Sequence, residues 1–155
     1  MLKLLLIFSL SLPALSQPQS LPDEVQRGFK ETGTWDVRKG GYYGEYRVSD
    51  PAVGQQAKKS VTWTIMIPDT NRYFRVQATW TADGANASNA KYTIYDGKKL
   101  LGNVSVNQKK VPRGEPSNGV MFQDLGSFHF QSDKVKVELT NEGDGKIIAD
   151  SIRVK

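Results

Sequence analysis

Three tyrosines set among glycines offer the chemistry most easily read from this chain. Tyr42, Tyr43 and Tyr46 lie within and just after the run Gly40-Gly41-Tyr42-Tyr43-Gly44. A tyrosine ring presents a broad, rigid apolar face and a polar hydroxyl. Such rings suit the C–H faces of sugars, and side-chain amides suit the hydroxyls. Asn86 and Asn89 supply amides within the small, polar run DGANASN at Asp83–Asn89. Loops carry binding residues disproportionately. Tyr42, Tyr43, Tyr46, Asn86 and Asn89 are therefore the candidate ligand-binding residues. The competing reading is that these side chains order their own loops.

Catalytic chemistry finds no comparable foothold. The 155 residues include no cysteine and one histidine, His129. Thiolate nucleophiles, disulfides and cysteine-bound metals are thereby excluded. His129 alternates with Phe128 and Phe130, which places it on the other face of a strand from the two phenylalanines. No G-x-S-x-G motif surrounds a serine. A carboxylate pair for glycoside hydrolysis is defined by its separation in the fold, which a sequence does not give. The acidic turn at Asn141–Gly145 lacks the spacing of a calcium-binding loop. Glu31 and Asp150, near opposite ends of the chain, fall short of the roughly six to eight oxygens calcium takes. No metal, no other cofactor and no enzymatic activity are expected.

Lysine and arginine number 21 against 16 acidic residues, a net charge of +5. Basic pairs stand at Lys58-Lys59, Lys98-Lys99 and Lys109-Lys110. This mild excess favours anionic partners, or serves solubility alone. With no recognisable nucleic-acid motif, no nucleic-acid partner is expected.

The elements that must position these residues are strands. The stretch VTWTIMIPDTNRYFRVQATW at Val61–Trp80 is organised by period two. Val61, Trp63, Ile65 and Ile67 alternate with Thr62, Thr64 and Met66. Phe74, Val76, Ala78 and Trp80 alternate with Arg75, Gln77 and Thr79. One apolar face at period two marks a half-buried strand. Around the Pro68–Asn71 turn the two read as a connected antiparallel pair. The eight apolar residues are expected inside, with Thr62, Thr64 and Gln77 outside. Further strands are expected at Thr32–Val37, Glu45–Val48, Lys91–Tyr95, Lys99–Val106, Phe122–Phe130, Lys134–Thr140 and Ile147–Val154. Asp96-Gly97 signals a tight hairpin. Gly102 suggests a bulge, and Gly126 a kink. Asn107–Met121 reads as a long irregular loop. Eight or nine short strands between turns, with helix at most minor, describe one all-β sandwich or barrel.

The N-terminus, MLKLLLIFSLSLPALSQ, has a short basic start, an apolar run and small residues at Ala14 and Ser16. This is the pattern of a secretory signal peptide over residues 1–16, cut before Gln17. A flexible leader over 17–27 and a domain over 28–155 would follow. The mature protein is expected to be secreted, extracellular or periplasmic, with no membrane segment left after cleavage.

A set of ordered segments runs from about Gly28 to the end: ETGTW, GYYGEYR, VTWTIMIP, YFRVQATW, SNAKYTIY, VSVNQ, DLGSFHF and LTNEGDGKIIADSIRV. Together they resemble the golvesin and xanthan-lyase carbohydrate-binding-domain-like family. The resemblance implies a jelly-roll-type antiparallel β-sandwich and a noncatalytic accessory role beside secreted polysaccharide or cell-wall enzymes. Three departures stand out. No enzyme domain is expected beside it, Phe122 lies near the place of a usual tryptophan, and Glu115–Gly119 lengthens the preceding loop. The expected function is binding of an extended polysaccharide, with anionic ones favoured by the charge. The alternative is a structural or assembly protein of the cell surface or matrix that binds another secreted protein.

Overall fold

The computed structural model describes residues 28–54, 56 and 58–155. The expected signal peptide and leader, residues 1–27, lie outside the described residues. Within them the regular structure is entirely strand: β1 Phe29–Thr32, β2 Asp36–Lys39, β3 Glu45–Ser49, β4 Ser60–Met66, β5 Arg72–Thr79, β6 Ala90–Asp96, β7 Lys99–Val106, β8 Glu115–Ser117, β9 Val120–Phe130, β10 Lys134–Thr140, β11 Ile147–Ala149 and β12 Ser151–Val154. They form a five-stranded sheet β1-β4-β10-β6-β7, a four-stranded sheet β12-β5-β9-β8 and a three-stranded sheet β11-β3-β2. All the strand pairs are antiparallel. The architecture is an all-β sandwich.

The central stretch behaves differently from a hairpin. β4 pairs with β1 and β10, whereas β5 pairs with β12 and β9. The segment Pro68–Asn71, with Asn71 at a φ of 57°, thus carries the chain from one sheet to another. The physical reason is that each strand owns a single apolar face. Placed in facing sheets, both faces enter one core. Val61, Trp63, Ile67, Val76, Ala78 and Trp80 are buried there, and Ile65 and Phe74 pack against it partly buried.

Gln77 departs from the outward position expected of it. It is fully buried, although its neighbours Val76 and Ala78 hold the inner face. Its side chain lies in a lateral row on the outer face of the four-stranded sheet. There its amide nitrogen donates to Asp124 Oδ1 at 2.5 Å, and Arg153 Nε donates to its oxygen at 2.8 Å. The long side chains beside it cover it, so alternation alone does not expose it.

Other boundaries moved for local reasons. The expected first strand divides into β1 and β2 around the buried Trp35. The loop expected over Asn107–Met121 contains β8 and the start of β9. They are joined at Asn118 (φ 47°) and Gly119 (φ 78°), the left-handed pair of a tight hairpin. The Asp96-Gly97 hairpin between β6 and β7 forms as expected. Register shifts fall beside both Gly102 and Gly126. The last strand breaks at Asp150, where the chain leaves β11 beside β3 and enters β12 beside β5.

Candidate functional site

The glycine-rich run is the tip of the β2–β3 hairpin. Gly40 N donates to Gly44 O at 3.0 Å, and Gly40, Gly41 and Gly44 all have φ in the left-handed half, at 112°, 75° and 85°. Residues with a Cβ rarely adopt such angles. Gly41 is needed for a second reason: a Cβ there would stand 2.8 Å from Asp150 Oδ2. The tip therefore lies directly against the sheet-switching residue of the last strand.

Asp150 fastens the tip. Both carboxylate oxygens accept from the Tyr42 amide, at 3.0 and 3.3 Å. Burial pushes this carboxyl up to about 6, against the lowering effect of the Tyr42 hydrogen bond. Among the described residues no ion pair reaches Asp150. Glu31, the other acid weighed for calcium, accepts from Arg47 Nε at 2.5 Å. No group of three or more acidic or histidine side chains converges among the described residues.

Tyr42 is partly buried and structurally committed. Its ring meets Phe122 edge-on at 4.9 Å, and its hydroxyl bonds Ser117 Oγ at 2.8 Å and accepts from Asn118 Nδ2 at 3.3 Å. The hairpin β8–β9 is thus tied to the β2–β3 tip. Tyr43 packs against Tyr42 at 4.5 Å and keeps 39% of its surface exposed. Burial, then the neighbouring Tyr42, raises its phenol. Tyr46 sits beneath, packed against the core, with its ring next to Gly40. Of the three tyrosines, Tyr43 presents the exposed ring.

The two asparagines do not join this group. Asn86 is buried at 2% exposure, and its amide donates to Thr81 O at 2.9 Å and Gln108 O at 3.0 Å. That overturns an accessible ligand-binding role, because its donors already satisfy backbone carbonyls inside the fold. Asn89 is exposed, and its oxygen accepts the Asp144 amide at 2.9 Å, fastening one loop to the next turn. No hydrogen-bond partner is shared between these asparagines and Tyr42.

The structure adds residues to the five candidate binding residues. Phe122 is buried outside the main core, between the Tyr42 ring and the Arg153 guanidinium, which lies 4.6 Å from its centroid. Arg153 Nη2 is buried without a hydrogen-bond partner, 3.8 Å from Glu115 Oε2. Glu115 also takes Arg75 at 2.5 Å and a contact from Lys155. Hydrogen bonds from Lys155 and Arg75 hold its carboxyl down at about 2. The Asn118-Gly119 dipeptide was the signal available for this hairpin. Nothing local in the sequence joins Phe122 to Arg153.

A family model, the golvesin C-terminal domain, matches residues 21–155. The chain belongs to the golvesin C-terminal domain family. A solved xanthan lyase from Paenibacillus shares the fold of this golvesin domain, with a TM-score of 0.63 over 82% of the chain and 23% identity. The golvesin domain spans 12% of the length of that lyase chain. No curated protein matches it. No helix among the described residues is long and apolar enough to cross a membrane.

Proposed function

We propose that this domain is a noncatalytic module that holds an extended polysaccharide outside the cytoplasm. One observation carries the reading: a hairpin tip pinned to Asp150 offers the exposed Tyr43 ring, packed edge-on against Tyr42, whose hydroxyl meets Ser117 and Asn118. A fixed aromatic ring with adjacent donors and acceptors is the arrangement that sugar stacking needs, at little entropic cost. Membership of the golvesin family and the fold shared with a xanthan lyase support a carbohydrate association. The N-terminal pattern of residues 1–16 supports export.

Affinity electrophoresis tests the reading. The protein should be retarded in gels containing xanthan, an acidic polysaccharide, or hydroxyethylcellulose, a neutral one. Tyr43→Ala should weaken retardation about fivefold, the loss of roughly 1 kcal/mol of stacking. Tyr43 is the residue to change, since removing Tyr42 would also release the hairpin from Ser117. Mobility unaltered by either polysaccharide would reject the reading in favour of an assembly protein that binds another exported protein.

A further inference from the structure

The outer face of the four-stranded sheet continues from this tip in one direction. Register fixes what it carries. On β5 the outward residues are Tyr73, Arg75, Gln77 and Thr79, opposite the inward Phe74, Val76 and Ala78. Beside them on β9 lie His129, Ser127 and Asp124, and on β12 Ser151 and Arg153. Ser151 and Thr79, paired in register, mark the end nearest the hairpin tip, since Ser151 follows Asp150, which holds the Tyr42 amide beside Tyr43. Tyr73 marks the other end. Six residue steps along the strand carry Tyr73 to Thr79, about 20 Å at the usual rise.

Tyr73 is 71% exposed, yet it is not loose. It stands on a central strand, and its ring meets His129 at 5.0 Å with a 63° tilt. That contact orients the ring and leaves most of its surface to solvent. Between the two tyrosines runs a polar band of Arg75, Asp124, Glu115 and the partly exposed Arg153, with the buried Gln77 beneath them bonding Asp124 and Arg153. Its charges are paired with one another: Arg75 with Glu115 at 2.5 Å and Asp124 at 3.5 Å, Arg153 with Glu115 at 3.8 Å, and Lys155 at the edge with Glu115. Three cations against two carboxylates nearly cancel at a distance and leave short-range donors and acceptors. Such a band matches hydroxyl groups better than it matches a row of like charges.

We propose that Tyr73, oriented by His129, is a second stacking platform, and that the sheet face between Tyr73 and Tyr43 binds the uncharged, hydroxyl-rich backbone of an extended polysaccharide. This rests on the polysaccharide reading above and adds the site's length, direction and ligand class. One chain would cover both rings, with the paired band hydrogen-bonding hydroxyls in between. Linking two weak contacts on one ligand raises the affinity beyond either contact alone.

The test compares the full chain with Tyr73→Ala, Tyr73→Phe, Tyr43→Ala and Tyr95→Ala by affinity electrophoresis in hydroxyethylcellulose and in xanthan. Tyr95 lies on the five-stranded sheet, where Lys136 covers its ring at 3.9 Å, and serves as the control aromatic. Tyr73→Ala should weaken binding to both polysaccharides about fivefold. Tyr73→Phe, which keeps the ring, should bind like the unaltered protein, and so should Tyr95→Ala. An unchanged melting temperature for Tyr73→Ala is expected from the exposure of that ring. Full binding by Tyr73→Ala, alongside weakened binding by Tyr43→Ala, would overturn the second platform while leaving the polysaccharide reading intact. A Tyr73→Ala loss confined to xanthan would overturn recognition of an uncharged backbone. No binding of either polysaccharide by the unaltered protein would overturn the polysaccharide reading, and this inference with it.

Discussion

Burial pushes the Asp150 carboxyl up to about 6, from 3.8 in the absence of the fold. Its proton is therefore held more tightly in the folded chain. Below pH 3.8 both states are protonated, and the group makes no difference to stability. As pH rises through about 6, the folded state must ionise a buried carboxyl that faces no cation, and stability falls by ~3 kcal/mol. Asp150→Asn keeps an oxygen for the Tyr42 amide and removes the ionisation. The variant should match the unaltered protein near pH 4 and exceed it by roughly 1–3 kcal/mol at pH 7.5. Urea denaturation at the two pH values measures this, and parallel stability curves would refute it. Glu115 behaves in the opposite sense, since its lowered carboxyl contributes stability above pH 4.5 that is lost as pH falls through about 2. That contribution is common to both proteins, so their difference isolates Asp150. The buried amides show the same residue-scale lesson. Asn86, Gln108 and Asn141 each bind backbone groups of other segments. Gln108 both donates to Ile148 O and accepts from Ile148 N, and so completes one edge of β11 as a neighbouring strand would.

At the scale of elements, the transfer of the chain between sheets at Pro68–Asn71 organises the core. β4 and β5 contribute Trp63 and Val76 to one cluster from different sheets. Trp63 is 6% exposed and meets the Phe29 ring at 5.7 Å. Trp63→Ala should therefore cost about 3–5 kcal/mol, the usual loss for a large core aromatic. Chemical denaturation measures it, and an unchanged midpoint would show that the ring is not core. The sheet switch at Asp150 does the equivalent at the other end of the chain. It lets one nearly continuous segment, Ile147–Val154, support both the hairpin that carries Tyr43 and the sheet that carries Tyr73.

For the whole molecule, the net charge of +5 adds a long-range attraction to acidic polymers. Exposed charges are screened over about 8 Å at physiological salt. Retardation by xanthan should consequently weaken as salt is raised, down to the level set by stacking and hydroxyl contacts. Retardation by hydroxyethylcellulose should change little. Electrophoresis at two salt concentrations measures both, and equal salt dependence for the two polymers would contradict this division.

What the sequence determined by itself was every property that local pattern encodes. Alternation at Val61–Ile67 and Phe74–Trp80 named the core faces, because period two has one meaning in a strand. Asp96-Gly97 named a hairpin, and the ordered segments named the family. Asn118-Gly119 was equally legible by the same chemistry, although the prolines and glycines around it suggested a loop. Tertiary structure alone decided which strands became neighbours. Identical apolar stripes are satisfied by pairing within a sheet or by facing across a core, and only the remaining strands select between these. It also decided that Asn86 is an internal strut and Tyr43 an exposed ring, since an amide or a phenol satisfies backbone and ligand equally well. The Tyr73–His129 pair and the paired charges around Glu115 arise from register between strands far apart in sequence. Such partners have no local signature, so the face they build exists only in the folded chain.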